Sequence, residues 1–410
     1  MKKKIITLVI ITLFFGIILI PVSNSLISDD NNTYRLEKDE GFNDSLFDRY
    51  ITRLMKFAHK PSLSACIIIN DSVVWSNEYG LCDIENNKPA TPETLYLMAS
   101  ISKTVTATAL MQLYDQELFD LDDDVNNYLP FSLRNPNFPN TPITFRMLLS
   151  HQSSLASDNS DILSTSYIPG DPDIPSYPYP WLEEYLTPDG NAYHSAVWSD
   201  TPPGDQFYYA NIGFSIIGYL VELISGQNFN EYCKEHIFIP LKMYNTSFRL
   251  KDLNISKIAI PYLYKGGKYI PNPHYGMLVV YPAASMRTSV EELSHFLIAH
   301  MNGGIYKNVR ILNESTVELM HTKHYPPHDR RNGYGLGWNI KENIFGKKEI
   351  GHSGGWPGVH TLMLFRPDDK TAIIIFTNSH DSTQPVRPLE RIAFLLIRNE
   401  LFRKANRIAS

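Results

Sequence analysis

The chain has 410 residues, 43% of them hydrophobic and 20% charged, with a formal net charge of -6. That composition gives one large domain or two with ample core, and excludes a disordered or fibrous protein. The acidic balance and the lack of an Arg/Lys stripe interleaved with aromatics argue against a nucleic-acid partner.

In chain order, Lys2, Lys3 and Lys4 precede an almost unbroken apolar run from Ile5 to Ile20. Pro21 and the small polar stretch Ser23-Asn24-Ser25 follow it. A positive head before an apolar stretch is the pattern of a secretory signal. The run lies between a usual signal core and the ~20 residues of a bilayer span. Residues 1–25 are therefore expected to be cleaved, or to remain as an N-terminal membrane anchor through residues 5–20. Either way the rest of the chain is expected outside the cytoplasm, secreted or anchored. Residues 26–45, with Asp29, Asp30, Asn31, Asn32 and Glu37 to Glu40, read as a polar tether.

The spacing of Leu46, Tyr50, Leu54 and Phe57 predicts a helix over Phe47–Lys60, stopped by Pro61. Strands are predicted over Ser62–Ile69 and Val73–Glu78, joined by Asn70-Asp71 as a hairpin. Ala99–Glu117 reads as helix, and residues 121–295 as mostly helix and loop. Within them Ala156–Pro203 is a Pro- and Tyr-rich excursion, equally readable as a functional loop or a surface insertion. Strands return at Gly333–Ile340, Gly358–Phe365 and Lys370–Thr377, with a Pro367-Asp368-Asp369 turn, and Pro388–Phe402 closes as an amphipathic helix. Strands at both ends around a helical middle predict an α/β (α+β sandwich) domain over 46–403. Its antiparallel sheet is built from both chain ends with flanking helices, and a helical subdomain is inserted over about 100–290.

Cys66, Cys82 and Cys233 are an odd number at wide spacing, neither a disulfide framework nor a zinc cluster. They read as small buried residues. A Cys66–Cys82 bridge is left open.

The chemistry starts at Ala99-Ser100-Ile101-Ser102-Lys103, the chain's one Ser-x-x-Lys. Residues three apart share a helix face, so the Lys103 amine can reach the Ser100 hydroxyl. A serine hydroxyl is a weak nucleophile until a base takes its proton, and a lysine serves when desolvation and nearby positive charge favour its neutral form. Alone, the motif also fits an N-capping serine followed by a solvated lysine. Two further elements change the weighing. Tyr209 and Asn211 stand two apart in a loop opening the apolar helix Phe214–Ile224, and Gly351-His352-Ser353-Gly354-Gly355 precedes the late strands.

These three elements, in this order, resemble the class C β-lactamase-like serine hydrolases: penicillin-binding DD-peptidases, D-amino acid peptidases and the esterases on the same fold. The similarity runs from about Phe47 to Phe402. It includes Leu121-Asp122-Asp123-Asp124-Val125 before Tyr128-Leu129-Pro130, the stretch Ile143-Thr144-Phe145-Arg146-Met147-Leu148-Leu149-Ser150-His151, and Tyr334-Gly335-Leu336-Gly337-Trp338. The resemblance implies that Ser100 forms an acyl-enzyme, that Lys103 accepts or shares its proton, and that Tyr209 delivers a proton to the leaving group. Asn211 would bind substrate and orient Lys103, and His352 would line the site from an edge strand. Gly354 belongs to the same motif, and the N–H groups of Ser100 and Gly355 would hold the oxyanion. No metal or organic cofactor is implied; the partner is a small-molecule or peptide acyl substrate.

One departure bears on the substrate. Penicillin-recognising members carry Lys-Thr-Gly where this chain has His352-Ser353-Gly354, and a histidine is only partly charged near neutrality. Ester or D-amino acid peptide hydrolysis is therefore expected ahead of antibiotic hydrolysis.

Three rival readings stand beside this one. The Gly351–Gly355 stretch matches the Gly-x-Ser-x-Gly nucleophile elbow, with Asp368 and His380 following in triad order, but an elbow needs a helix after Ser353 and Pro357-Gly358 breaks one. His321, His324 and His328 suggest a metal, yet Pro326-Pro327 interrupts the helix that such a site needs, so they read as a solvated loop. A non-catalytic binding protein on the same fold is the third. His151 is expected to be structural, packing behind the nucleophile helix.

Overall fold

The computed structural model describes residues 44–156, 181–272, 280–324, 332–342, 346–380 and 388–410. The expected signal or anchor, nearly all of the tether, and residues 157–180 of the Pro- and Tyr-rich excursion lie outside the described residues.

In chain order the main elements are helix α1 (Asp44–Phe57), strands β1 (Ser62–Ile69), β2 (Ser72–Asp83) and β3 (Lys88–Pro89), and helices α2 (Ser102–Asp115), α3 (Asn211–Ser225) and α4 (Val290–Met301). Then come β4 (Asn332–Tyr334), β5 (Asn339–Glu342), β6 (Lys348–Trp356), β7 (Val359–Arg366), β8 (Thr371–Thr377) and helix α5 (Pro388–Ala409). The eight strands form one antiparallel sheet, ordered β4-β5-β6-β7-β8-β1-β2-β3. The two ends of the chain meet where β1 pairs with β8, from Leu63 opposite Thr377 to Ile69 opposite Thr371. The expected antiparallel sheet with flanking helices is thus present.

Alternation along β1 divides the core in two. Leu63, Ala65 and Ile67 pack with Ile51, Leu54 and Met55 of α1 and with Phe394, Ile397 and Leu401 of α5. Cys66 and Ile68 face the other way, into a larger cluster with Ile101, Val105 and Leu110 around α2. Lys60, fully buried at its side chain, ties the layers at one end by pairing with Glu390 and donating to the Ser379 carbonyl.

Four sequence expectations are corrected. Gly333–Ile340 is not one strand but the hairpin β4–β5. Gly337, at φ 84°, packs where a Cβ would lie 2.4 Å from Ala107 Cβ, so the chain must turn there. Helix α3 begins at Asn211 itself, and α5 continues to Ala409. The cysteines, by contrast, are small buried residues as read from the sequence: Cys66, Cys82 and Cys233 are free thiols, the bridge left open is not formed, and burial pushes all three thiols up. Finally, His321 is not solvated. It is buried against His300 and Trp338, while half-buried His324 hydrogen-bonds the Leu319 carbonyl; His328 lies outside the described residues.

Candidate active site

Ser100 sits in a single 3-10 turn, Ala99–Ile101, immediately before α2. Ala99 is held at φ 47°, a left-handed conformation that a non-glycine residue adopts only when its surroundings impose it. Those surroundings are explicit. The Met98 N–H donates to the Met286 carbonyl (2.8 Å), and the Met98 carbonyl accepts from Thr361 Oγ1 of β7 (3.0 Å). The turn is therefore clamped between the sheet and the segment before α4. Helix α2 is buried from Ser102 to Leu113 despite its threonines. It tolerates this because Thr104 and Thr108 donate their hydroxyls to carbonyls of the preceding turn (2.8 Å each), and Thr106 bonds the Pro282 carbonyl.

Lys103 is fully buried. Its Nζ lies 3.1 Å from Ser100 Oγ and 3.1 Å from the Ala283 carbonyl oxygen, and it also donates to Asn211 Oδ1. Two of these neighbours can only accept, which matches the two N–H bonds of a neutral amine and leaves its lone pair for the hydroxyl. An ammonium would find three acceptors in the same places. The cradle serves either protonation state, as a group that takes and returns a proton must.

Tyr209 stands beside Lys103, its ring centroid 4.9 Å from Nζ. The loop that carries it is pinned by His151. The Tyr208 N–H donates to the His151 carbonyl (2.8 Å), the Ala210 N–H donates to His151 Nδ1 (3.2 Å), and the rings of His151 and Tyr209 lie 4.3 Å apart. Burial, with a smaller contribution from the Lys103 charge, holds the His151 imidazole well below its ordinary pKa. Expected to pack behind the nucleophile helix, His151 instead braces the Tyr209 loop with its hydrogen bonds.

His352 lies on β6, buried, rather than on an outer edge of the sheet. Even so, β5 covers β6 only from Lys348 to Gly351, which leaves His352–Trp356 without a strand partner on that side among the described residues. Burial and the Lys103 charge press the His352 pKa down to about 3, so the ring is neutral throughout the physiological range rather than partly charged. Its hydrogen bonds define the tautomer: Nδ1–H donates to the Ser353 carbonyl (2.7 Å), and the Tyr334 hydroxyl donates to Nε2 (3.0 Å).

Gly354 has no room for a side chain. A Cβ there would lie 2.1 Å from the Met98 carbonyl oxygen and 2.3 Å from Thr361 Oγ1. Gly354→Ala is expected to force β6 away from the Ser100 turn, lowering stability by about 1–3 kcal/mol and impairing acylation more than Tm alone predicts. Thermal melts and single-turnover acylation of the same preparation separate the two effects, and normal acylation by the Gly354→Ala enzyme would refute the close packing.

Ser353, by contrast, is a mid-strand residue followed by a turn and β7, with no helix after it, so it lacks the geometry of a nucleophile elbow. Sequence reasoning missed Tyr334, Thr361 and the Ala283 carbonyl. Tyr334 lay within a quoted motif without a role, and Thr361 within a predicted strand. A main-chain carbonyl leaves no side-chain signal at all.

Comparison with known proteins gives the family and the fold. The Beta-lactamase family profile matches residues 47–396. Protein flp of Staphylococcus aureus (strain N315) is 26% identical over 348 residues, covering 82% of this chain but only 64% of flp, so the match spans less than two thirds of that relative. The octameric penicillin-binding protein homologue from Pyrococcus abyssi superposes with a TM-score of 0.70 at 28% identity, covering 87% of this chain and 78% of that one. EstCE1, a hydrolase with promiscuous acyltransferase activity, shares the fold at 18% identity (TM-score 0.69, covering 88% and 99%). With a family profile matched over most of its length and the same fold in these neighbours, the chain belongs to the Beta-lactamase family, whose members are serine hydrolases.

Proposed function

We propose that this chain is a serine hydrolase that works through an acyl-enzyme on Ser100, with ester or D-amino acid amide substrates favoured over β-lactams. The observation that carries the reading is the Lys103 cradle: one buried amine held 3.1 Å from Ser100 Oγ by two obligate acceptors. In this reading Ser100 Oγ bonds to the substrate carbonyl carbon as its proton passes to Lys103 Nζ. The oxyanion is received by the N–H groups of Ser100 and Gly355, and the clamp on Met98 fixes the position of the Ser100 turn. The C–O or C–N bond then breaks as Tyr209 gives the leaving group a proton, which Lys103 replaces. Water attacks the acyl carbon by the reverse path and frees Ser100.

The substrate preference rests on His352. Relatives that recognise penicillin place a lysine there to meet a carboxylate. A neutral imidazole, satisfied by Tyr334 and the Ser353 carbonyl, supplies no such charge.

The test is peptide mapping after exposure to a fluorophosphonate probe. The expected adduct is on Ser100, at full yield in Ser353→Ala. An adduct on Ser353 would overturn the mechanism, and none anywhere would point to a binding protein that has lost the chemistry.

A further inference from the structure

Helices α1 and α5 lie side by side on the sheet face opposite α2, and Lys404 of α5 lies 4.6 Å from the Phe47 ring centroid of α1. Cations predominate on their outward surface. Arg49, Arg53 and Lys56 of α1, with Arg391, Arg403 and Arg407 of α5, are exposed. The described acidic residues of both helices are instead drawn into local contacts. Asp48 accepts from Tyr79 (2.6 Å), Glu390 pairs with Lys60, and Glu400 with Arg403. A face with this charge is unexpected on a chain of net charge -6.

Large apolar side chains are interleaved with these cations: Leu46 (58% exposed), Phe57 (51%), Ile392 (38%), Leu395 (48%) and Ile408 (44%). Cations alternating with exposed Leu, Ile and Phe on a helical surface are what an anionic bilayer recognises, the cations meeting headgroups and the apolar side chains entering the interface. In sequence, α1 also follows the Ile5–Ile20 run, expected to be a signal or an anchor, by a single polar tether. If that run is retained in the membrane, the tether presents α1 to lipid at high effective concentration.

We infer that the outward face of α1 and α5 docks on an anionic membrane surface. Ser100 and α2 lie across the sheet from this face, so docking leaves the nucleophile unobstructed. The inference does not depend on the catalytic reading.

The test uses the full chain in lipid nanodiscs, with Leu395→Cys carrying an environment-sensitive dye. The native thiols are buried and stay unlabelled. With phosphatidylglycerol in the disc, quenching of the dye by nitroxide lipids is expected to rise several-fold over phosphatidylcholine alone. That increase should vanish in high salt, and in a variant with the six basic residues changed to Gln, while hydrolysis of soluble esters is unchanged. Equal quenching in both lipids, or none in either, overturns the inference. So would cross-links showing that the acidic tether, with Asp29, Asp30, Glu37, Asp39 and Glu40, occupies the face instead.

Discussion

Lys103→Met is expected to lower kcat/KM for ester hydrolysis by about 10³-fold or more, and to abolish fluorophosphonate labelling of Ser100, while the protein stays folded. Methionine nearly fills the lysine's volume, so the fully buried position keeps its packing. Two opposing terms act on stability. Asn211 Oδ1 and the Ala283 carbonyl lose the donor they share, and each buried acceptor left unsatisfied costs about 1–3 kcal/mol. Removing a fully buried amine relieves a desolvation cost of similar size. The Tm is therefore expected to move by a few degrees while turnover collapses. Asn211→Ala should show a smaller loss, because it disturbs the orientation of the amine and leaves the base in place. If the Lys103→Met enzyme kept its rate within tenfold of the wild type, Lys103 would not be the activating group.

The parts of this site that were legible in sequence are those made by side chains at fixed local spacing. Ser100 and Lys103 are three residues apart, so one turn of chain brings them together whether it is α-helical or 3-10. The strand pair β1–β2 was equally readable, since Pro61 and Asn70-Asp71 bound a short run of small and β-branched residues. What sequence alone could not supply is of two kinds. Main-chain partners, such as the Ala283 carbonyl on Lys103 and the Met98 carbonyl under Thr361, carry no residue identity. Environments are the other kind. His352 looked like a partly charged group until the Tyr334 hydroxyl and its burial were seen, and His321 looked like loop until Trp338 and His300 enclosed it. Burial is a property of the whole fold, and a short motif does not report it. The Gly333–Ile340 stretch failed for a related reason. Its alternation fits a strand, but the close approach of Gly337 to Ala107 on α2 requires a turn.

Acid is expected to unfold this protein in a window set by histidine rather than by carboxylates. Among the described residues, His151 next to Lys103, His300, His321 near Lys348 and His352 are buried and, like half-buried His360 beside Lys60, are held well below the ordinary imidazole pKa. Desolvation is the leading cause in every case, and it presses His300 and His352 down to about 3. Above pH ~6.5 these groups are neutral in both the folded and unfolded chain and contribute nothing to pH dependence. Below it the unfolded chain binds protons that the native state refuses, so stability falls as pH drops, by up to about 1.4 kcal/mol per pH unit for each histidine. Several such slopes acting together would consume a typical folding free energy of about 5–15 kcal/mol within roughly two pH units. Glu390, held down to about 2, acts with the same sign in a lower window: its stabilisation is present above the ordinary carboxylate pKa and is lost only as pH falls below about 4.5. The two classes therefore separate. Urea unfolding at pH 7.5, 6.0 and 5.0 should show a steep loss before carboxylates titrate, and His300→Gln or His321→Gln should each flatten that slope by one histidine's share. A midpoint unchanged between pH 7.5 and 5.0 would mean that these rings are hydrated or charged in the native state, against the burial that defines them.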